Sequence, residues 1–262
     1  MSTAATTTVT GGGRVQSLER AFVLLEALAE ADRPLGVTEL TGPTGLSLGT
    51  VHRLLRTLVD LGYVRQEASR GYALGPGFIR LGERASAGLG AWCRPLLAEA
   101  AQELGESVNL AALEGDHVVY VAHVPSSRSM RMFTEVGSRR PVHSTGVGKA
   151  MLADLPAAEA LALAAADGMP PATEHTITDP DTLAAELRRV AERGYALDEE
   201  EQELGVRCVA LAVPGPGPRL AVSVSGPTAR MTDDLVARAV PLLQRTVTAI
   251  SRELTGRRGE TA

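Results

Sequence analysis

Apolar residues recur at helical spacing through the first third of the chain. Val15, Leu18, Phe22, Leu25 and Ala29 lie three or four positions apart, which puts one stripe on a helix. Asp32-Arg33-Pro34 ends it, and Val37 with Leu40 predicts a short second helix before the breaker-rich run Thr41-Gly42-Pro43-Thr44-Gly45. Ser47 is placed to cap a third helix by accepting a free N–H of its first turn. On that helix Val51, Leu54, Leu55 and Leu58 face inward, and Gly62 stops it. The period then shortens: Tyr63-Val64-Arg65 and Tyr72-Ala73-Leu74 read as extended pieces around the polar tip "QEASRG". Three helices and a hairpin predict a winged helix-turn-helix. Phe78, Leu81, Ala85 and Leu89 return to helical spacing and predict a linker helix.

Beyond Ala91 the two periods alternate. A helix is expected around 92–104, then strands at "SVNLAAL", "HVVYVAHV" and "SMRMFTEV", and short helices at 148–154 and 157–166. A helix at 181–193 precedes strand-like "YALDEEEQELGVRCVALAV" and "RLAVSVSG", and a last helix runs from Thr232 to Leu254. This mixture predicts an α+β fold with a mainly antiparallel sheet. The expected organisation is a disordered leader at 1–13, a winged helix-turn-helix at 14–76, a linker helix at 77–90, a second, α/β domain at 91–256 and a disordered tail at 257–262.

Charge adds one asymmetry. The chain of 262 residues carries a net −5, yet residues 47–80 hold five Arg against two acidic residues, a local +3 that concentrates a positive field. Two distant cysteines, Cys93 and Cys208, indicate neither a disulfide framework nor a zinc cluster and fit a reducing cytoplasm. No apolar run reaches the roughly 18 residues of a spanning helix, so no membrane partner is expected, and no cofactor or metal motif is present.

Three motifs carry candidate chemistry. On the third helix Ser47, Thr50, His52, Arg53 and Arg56 lie off the apolar face, and Arg70 sits on the hairpin. Arginine forks and hydroxyls at such positions suit phosphates and guanine edges. The stretch "HSTGVGKA" holds the chain's only lysine, Lys149, and looks superficially like a phosphate loop. That loop needs Gly five positions before Gly148 and a hydroxyl after the lysine; here they are His143 and Ala150. Finally, Cys208, His143 and Asp198 could be drawn together as nucleophile, base and orienter. Nothing around Cys208 forms a nucleophile turn, so no catalytic residue is assigned and the chain is not read as an enzyme.

The segments "VQSLERAFVLLEALAE", "TVHRLLRTLVDLGYVR" and "YALGPGFIRLGE" resemble the DNA-binding half of bacterial IclR-type regulators. "GSRRPVHSTGVGKAML", "RGYALDEEE", "GVRCVALAV" and "VSVSGP" resemble the family's effector-binding half, so the likeness spans residues 14–254. It implies a homodimer or homotetramer on double-stranded operator DNA, with "HSTGVGKA" preceding a helix that starts near Gly148 and borders the effector cavity. The allantoin- and glyoxylate-pathway repressors look most similar, in "SMRMFTEVGSRRPVHSTGVGKA" and "DEEEQELGVRCVA". By that likeness Thr145, Gly146, Val147, Asp198, Cys208, Ser223 and Ser225 hold a small anionic metabolite such as glyoxylate. The alternative within the family is control by glycerol or an aromatic acid, which the 3% aromatic content disfavours. One departure stands out: family members usually have a continuous second helix where this chain has Gly42-Pro43, so that helix is expected to be short or kinked.

Overall fold

The computed structural model describes residues 15–215 and 217–259. Contacts divide the chain into two compact units that part between Ala85 and Ser86. The expected leader at 1–13 lies outside the described residues.

The first unit holds α1 (Gln16–Ala29), α2 (Val37–Thr44), α3 (Leu48–Asp60), β1 (Val64–Gln66) and β2 (Tyr72–Leu74), and α4 (Gly77–Leu89) runs across the division. Its core joins Leu24, Leu25 and Leu28 of α1, Leu40 of α2, Val51, Leu55 and Leu58 of α3, and Val64 and Tyr72 of the hairpin. The α1 stripe read from the sequence is therefore rotated. Leu25 is buried, but Val15, Leu18 and Phe22 are more than half exposed. The helix carries two apolar stripes, and a core this small covers only one.

Helix α2 is short as expected, at eight residues, but does not stop before the breaker-rich run. It runs through Gly42 and Pro43 and ends at Gly45, whose φ of +63° suits glycine. Pro43 is exposed and so is Glu39, the residue whose carbonyl loses its helical donor, so water can replace the missing N–H. The hairpin pairs Val64 with Leu74 and Gln66 with Tyr72.

The second unit begins with a 3₁₀ turn, Ala91–Cys93, and α5 (Arg94–Leu104). There follow β3 (Ser107–Glu114), β4 (His117–Val124), β5 (Arg139–Pro141), α6 (Gly146–Leu152), α7 (Ala157–Ala165), α8 (Pro180–Arg193), β6 (Ala196–Glu199), β7 (Val206–Ala212), β8 (Leu220–Pro227) and α9 (Asp233–Gly259). The strands form one antiparallel sheet in the order β5-β4-β3-β8-β7-β6. Helices α5 and α9 bury one face with Leu97, Val222, Val224 and Leu243. Helices α6, α7 and α8 cover the other over small residues, Ala111, Cys208, Ala210 and Ala221.

Two expectations fail here. "SMRMFTEV" is an irregular loop, not a strand: Met130, Phe133 and Val136 point to solvent, and its backbone is held by Ser107 Oγ on the Met132 carbonyl and Arg230 on the Met130 carbonyl. The strand forms later, at Arg139–Pro141. Residues 257–259, expected as tail, continue α9, and 260–262 lie outside the described residues.

Candidate functional site

Directly opposed residues of antiparallel strands share a face, and the register lays a polar row across this sheet. Asp198 of β6 opposes Cys208 of β7, which opposes Ser225 of β8. Ser223 opposes Asn109 of β3, which opposes His123 of β4. These side chains lie on the face covered by α6, and Ser225 alone among them is only partly buried. The serines, which alternate with core valines, thus face a polar interior rather than solvent.

The start of α6 closes over this row. Helix α6 begins at Gly146 rather than near Gly148, with Thr145 as its N-cap: Thr145 Oγ1 accepts from the Gly148 N–H at 3.2 Å and donates to the Pro141 carbonyl. The glycines of "GVGK" are needed for approach. A Cβ at Gly146 would sit 3.0 Å from Cys208 Sγ and 3.4 Å from the Ala210 Cβ, and one at Gly148 would sit 2.1 Å from the Val142 carbonyl oxygen. The phosphate-loop look of this stretch is thereby explained by packing.

A cavity of about 80 Å³ remains, lined by Gly146, Asp198, Cys208 and Ser225 together with Tyr120, Arg140, Gln202 and the 132–135 segment. Four of the seven expected effector residues line it. Ser223 adjoins it through Asn109, whereas the Thr145 hydroxyl is spent on the cap and the Val147 side chain is core. Tyr120, Arg140 and Gln202 are lining residues the sequence did not single out. Burial holds the Tyr120 hydroxyl above its ordinary range, so it stays a donor, and it has no hydrogen-bond partner among the described residues. Gln202 Oε1 accepts from Ser144 Oγ at 2.8 Å, which leaves its N–H groups available.

The electrostatics of the wall depend on a buried triad. Lys149, the chain's only lysine, is buried and ion-paired with Glu201, itself buried. Glu201 N and Gln202 N donate to Asp198 Oδ1 at 2.8 and 3.4 Å. Burial, and then the neighbouring Glu201, push the Asp198 carboxyl up to about 7. Burial, then Asp198, pushes the Cys208 thiol up to about 12, so it is a neutral S–H and a poor nucleophile. His143 Nε2 lies 3.1 Å from the Pro170 carbonyl, a contact that ties the proposed base away from the thiol. Among the described residues no cluster could hold a metal ion, and no helix is long and apolar enough to cross a membrane.

The other candidate face lies on the first unit. His52, Arg53 and Arg56 are exposed on α3, and their side chains have no hydrogen-bond or ion-pair partner among the described residues. Thr50 is half-buried; Ser47 is the N-cap residue, but its Oγ pairs with Thr50 Oγ1 at 2.9 Å and caps no backbone N–H. Leu48, unremarked in the sequence, is exposed in the first turn beside them. Arg70 stands exposed at the hairpin tip with φ +64°, a left-handed conformation that costs a non-glycine residue about 1–2 kcal/mol.

Two family models match the chain. One describes the IclR helix-turn-helix domain, over residues 17–68; the other the bacterial transcriptional regulator IclR C-terminal domain, over residues 85–252. The chain is 37% identical over 239 residues to the transcriptional repressor IclR of Escherichia coli (strain K12), covering 88% of this chain and 87% of that one. It is 30% identical over 244 residues to the HTH-type transcriptional repressor AllR of Salmonella typhi, covering 91% and 90%. The crystal structure of an IclR transcriptional regulator from Alicyclobacillus acidocaldarius matches with a TM-score of 0.80 at 28% identity, over 92% of this chain and 99% of that one.

Proposed function

The chain belongs to the IclR family of bacterial transcriptional regulators, which are not enzymes, and from that premise we propose that it is a cytoplasmic repressor of allantoin, purine-ureide or glyoxylate catabolism, released from its operator by a small 2-oxo acid such as glyoxylate. The observation that carries the choice of effector is the cavity. At about 80 Å³ it is far below the roughly 300–1,000 Å³ of drug-sized ligand sites, and its wall offers neutral donors in Tyr120, Ser225 and Cys208 with one cation, Arg140, the carboxylates Glu135 and Glu203 standing exposed at its edge. Burial, by pushing Asp198 up to about 7, weakens the repulsion that a full carboxylate there would exert on an anion. The local match of "SMRMFTEVGSRRPVHSTGVGKA" supports the pathway; overall identity, higher to IclR than to AllR, does not select it.

Operator contact falls to Ser47, Thr50, His52, Arg53 and Arg56 on α3, with Arg70 at the wing for an adjacent phosphate or minor groove. The uncovered Val15, Leu18 and Phe22 of α1 and the exposed Ile79 of α4 support pairing of two chains through this unit, as homodimer or homotetramer. Release works by linkage: an effector that prefers the DNA-incompetent arrangement by about 1–3 kcal/mol weakens operator affinity some 5- to 150-fold. Fluorescence anisotropy on the protein's own upstream DNA, with and without glyoxylate at fixed salt, tests this. Specific binding weakened by glyoxylate is expected. Specific binding indifferent to it retains the regulator and rejects the effector.

A further inference from the structure

Asn109 and His123 belong to the polar row, yet neither lines the cavity, and the effector reading does not use them. Both are buried. Asn109 Nδ2 lies 3.4 Å from Ser223 Oγ and 3.4 Å from Ser225 Oγ, so both of its N–H groups are directed at serine oxygens. Its Oδ1 faces His123 Nδ1 at 2.7 Å. A carbonyl oxygen only accepts, so Nδ1 carries the ring proton. Burial first, then Arg94 and Arg131, hold the His123 pKa below its ordinary value, and the ring is neutral. The remaining nitrogen, Nε2, is buried and without a partner. The opposite tautomer would set two lone pairs against each other at Nδ1 and strand an N–H at Nε2, at greater cost. Phe133, though largely exposed, stands edge-on to the imidazole with centroids 6.0 Å apart.

This fixes the direction of the whole row. A hydroxyl has one proton and two lone pairs. With lone pairs engaged by Asn109, the Ser223 and Ser225 protons are left to point toward Cys208, and of the two serines Ser225 lines the cavity. A reversed Asn109 amide would take those protons and turn lone pairs to the ligand. We propose that His123 and Asn109 are positioning residues that lock Ser225 as a donor to the cavity, so that the site selects a small carboxylate over a ligand group that itself donates hydrogen bonds. The proposal rests on the small-carboxylate reading of the cavity.

Two measurements on the full-length protein test it. The first needs no ligand: ¹⁵N-histidine NMR, with the His123 signals assigned by their loss in His123→Phe, is expected to show the Nδ1–H tautomer. An Nε2–H tautomer overturns the relay, whatever the protein binds. The second compares glyoxylate with glyoxylamide, which exchanges the carboxylate for a donor-bearing amide of similar size, by titration calorimetry. Wild type is expected to prefer glyoxylate, and His123→Phe, which frees the Asn109 amide to turn, is expected to lower that preference about tenfold, as one misdirected hydrogen bond would. Equal weakening of both probes means that His123 merely supports the fold and overturns the proposal. Binding of neither probe by wild-type protein with the Nδ1–H tautomer refutes the carboxylate effector, and the selecting role with it.

Discussion

The two candidate faces use polar residues in opposite ways. On α3, His52, Arg53 and Arg56 stand in solvent without partners among the described residues; in the second unit Asp198, Glu201 and Lys149 are buried and bonded in one group, and Asn109 and His123 in another. The difference follows from what each face would bind. A DNA backbone presents many phosphates with condensed counterions, and exposed arginines gain by releasing those counterions with little desolvation. A small metabolite offers a few atoms, so its site must gain from each hydrogen bond, which requires low dielectric and donors fixed beforehand. The first face is therefore ready by being uncommitted, and the second by having most of its buried groups already committed to one another.

Breaking the commitment costs most. Lys149→Met leaves Glu201 buried beside Asp198, with an Oε2 that already lacks a partner, and is expected to destabilise the second unit by about 3–5 kcal/mol. The sole tryptophan, Trp92, packs against that unit's core, so its fluorescence during urea unfolding reads the loss. Adding Glu201→Leu removes the stranded charge and is expected to restore most of it. A Lys149→Met variant as stable as wild type would show that the pair is not committed.

The next effect depends on pH. In the folded chain the Asp198 carboxyl titrates at about 7, against 3.8 ordinarily. Between those values the folded state holds a proton that the unfolded state has lost. Its contribution is complete below pH 4 and disappears as pH rises through 7. Wild type is thus expected to lose stability relative to Asp198→Asn across that window, by on the order of 4 kcal/mol. A difference that stays constant from pH 4 to 8 would mean that Asp198 is ionised throughout.

How much of this contrast was legible in the sequence depends on how far apart the interacting residues lie. Val51, Leu55 and Leu58 repeat within one helix, and Ser223 and Ser225 alternate with valines within one strand, so both patterns could be read locally. The burial of Lys149 is decided by Glu201, 52 positions away, and the role of Asn109 by serines 114 and 116 positions away, beyond any local period. Helix α1 misled for another reason. Val15, Leu18 and Phe22 have core spacing and are uncovered, because periodicity shows that a face is apolar and not what covers it. The loop 129–136 failed likewise: its alternating apolar residues resemble a strand, but no strand partner is in register with them.

On the exposed face the expected effects are smaller and fall on binding alone. Arg53→Ala and Arg56→Ala are each expected to weaken operator binding by about 1–2 kcal/mol, and each phosphate contact removed lowers the salt slope by about 1. Urea unfolding followed by helical circular dichroism, which reads the first unit as Trp92 of the second does not, should be unchanged, since neither side chain has a partner to lose among the described residues. A loss of stability would mean that these arginines hold the fold.

The smallest test compares two hydroxyls at equivalent places, one in each unit. Both Thr145 and Ser47 are N-cap residues, of α6 and α3. Thr145 accepts a backbone N–H, so Thr145→Ala should cost about 1 kcal/mol of stability. Ser47 bonds only the Thr50 hydroxyl, so Ser47→Ala should cost no more than about 0.3 kcal/mol, well short of an ordinary capping loss. Its effect should appear in operator affinity instead, where the hydroxyl is free to turn from Thr50 to a phosphate. If Ser47→Ala destabilises the fold as much as Thr145→Ala and leaves DNA affinity unchanged, then Ser47 is committed to structure, and the uncommitted face begins at Thr50.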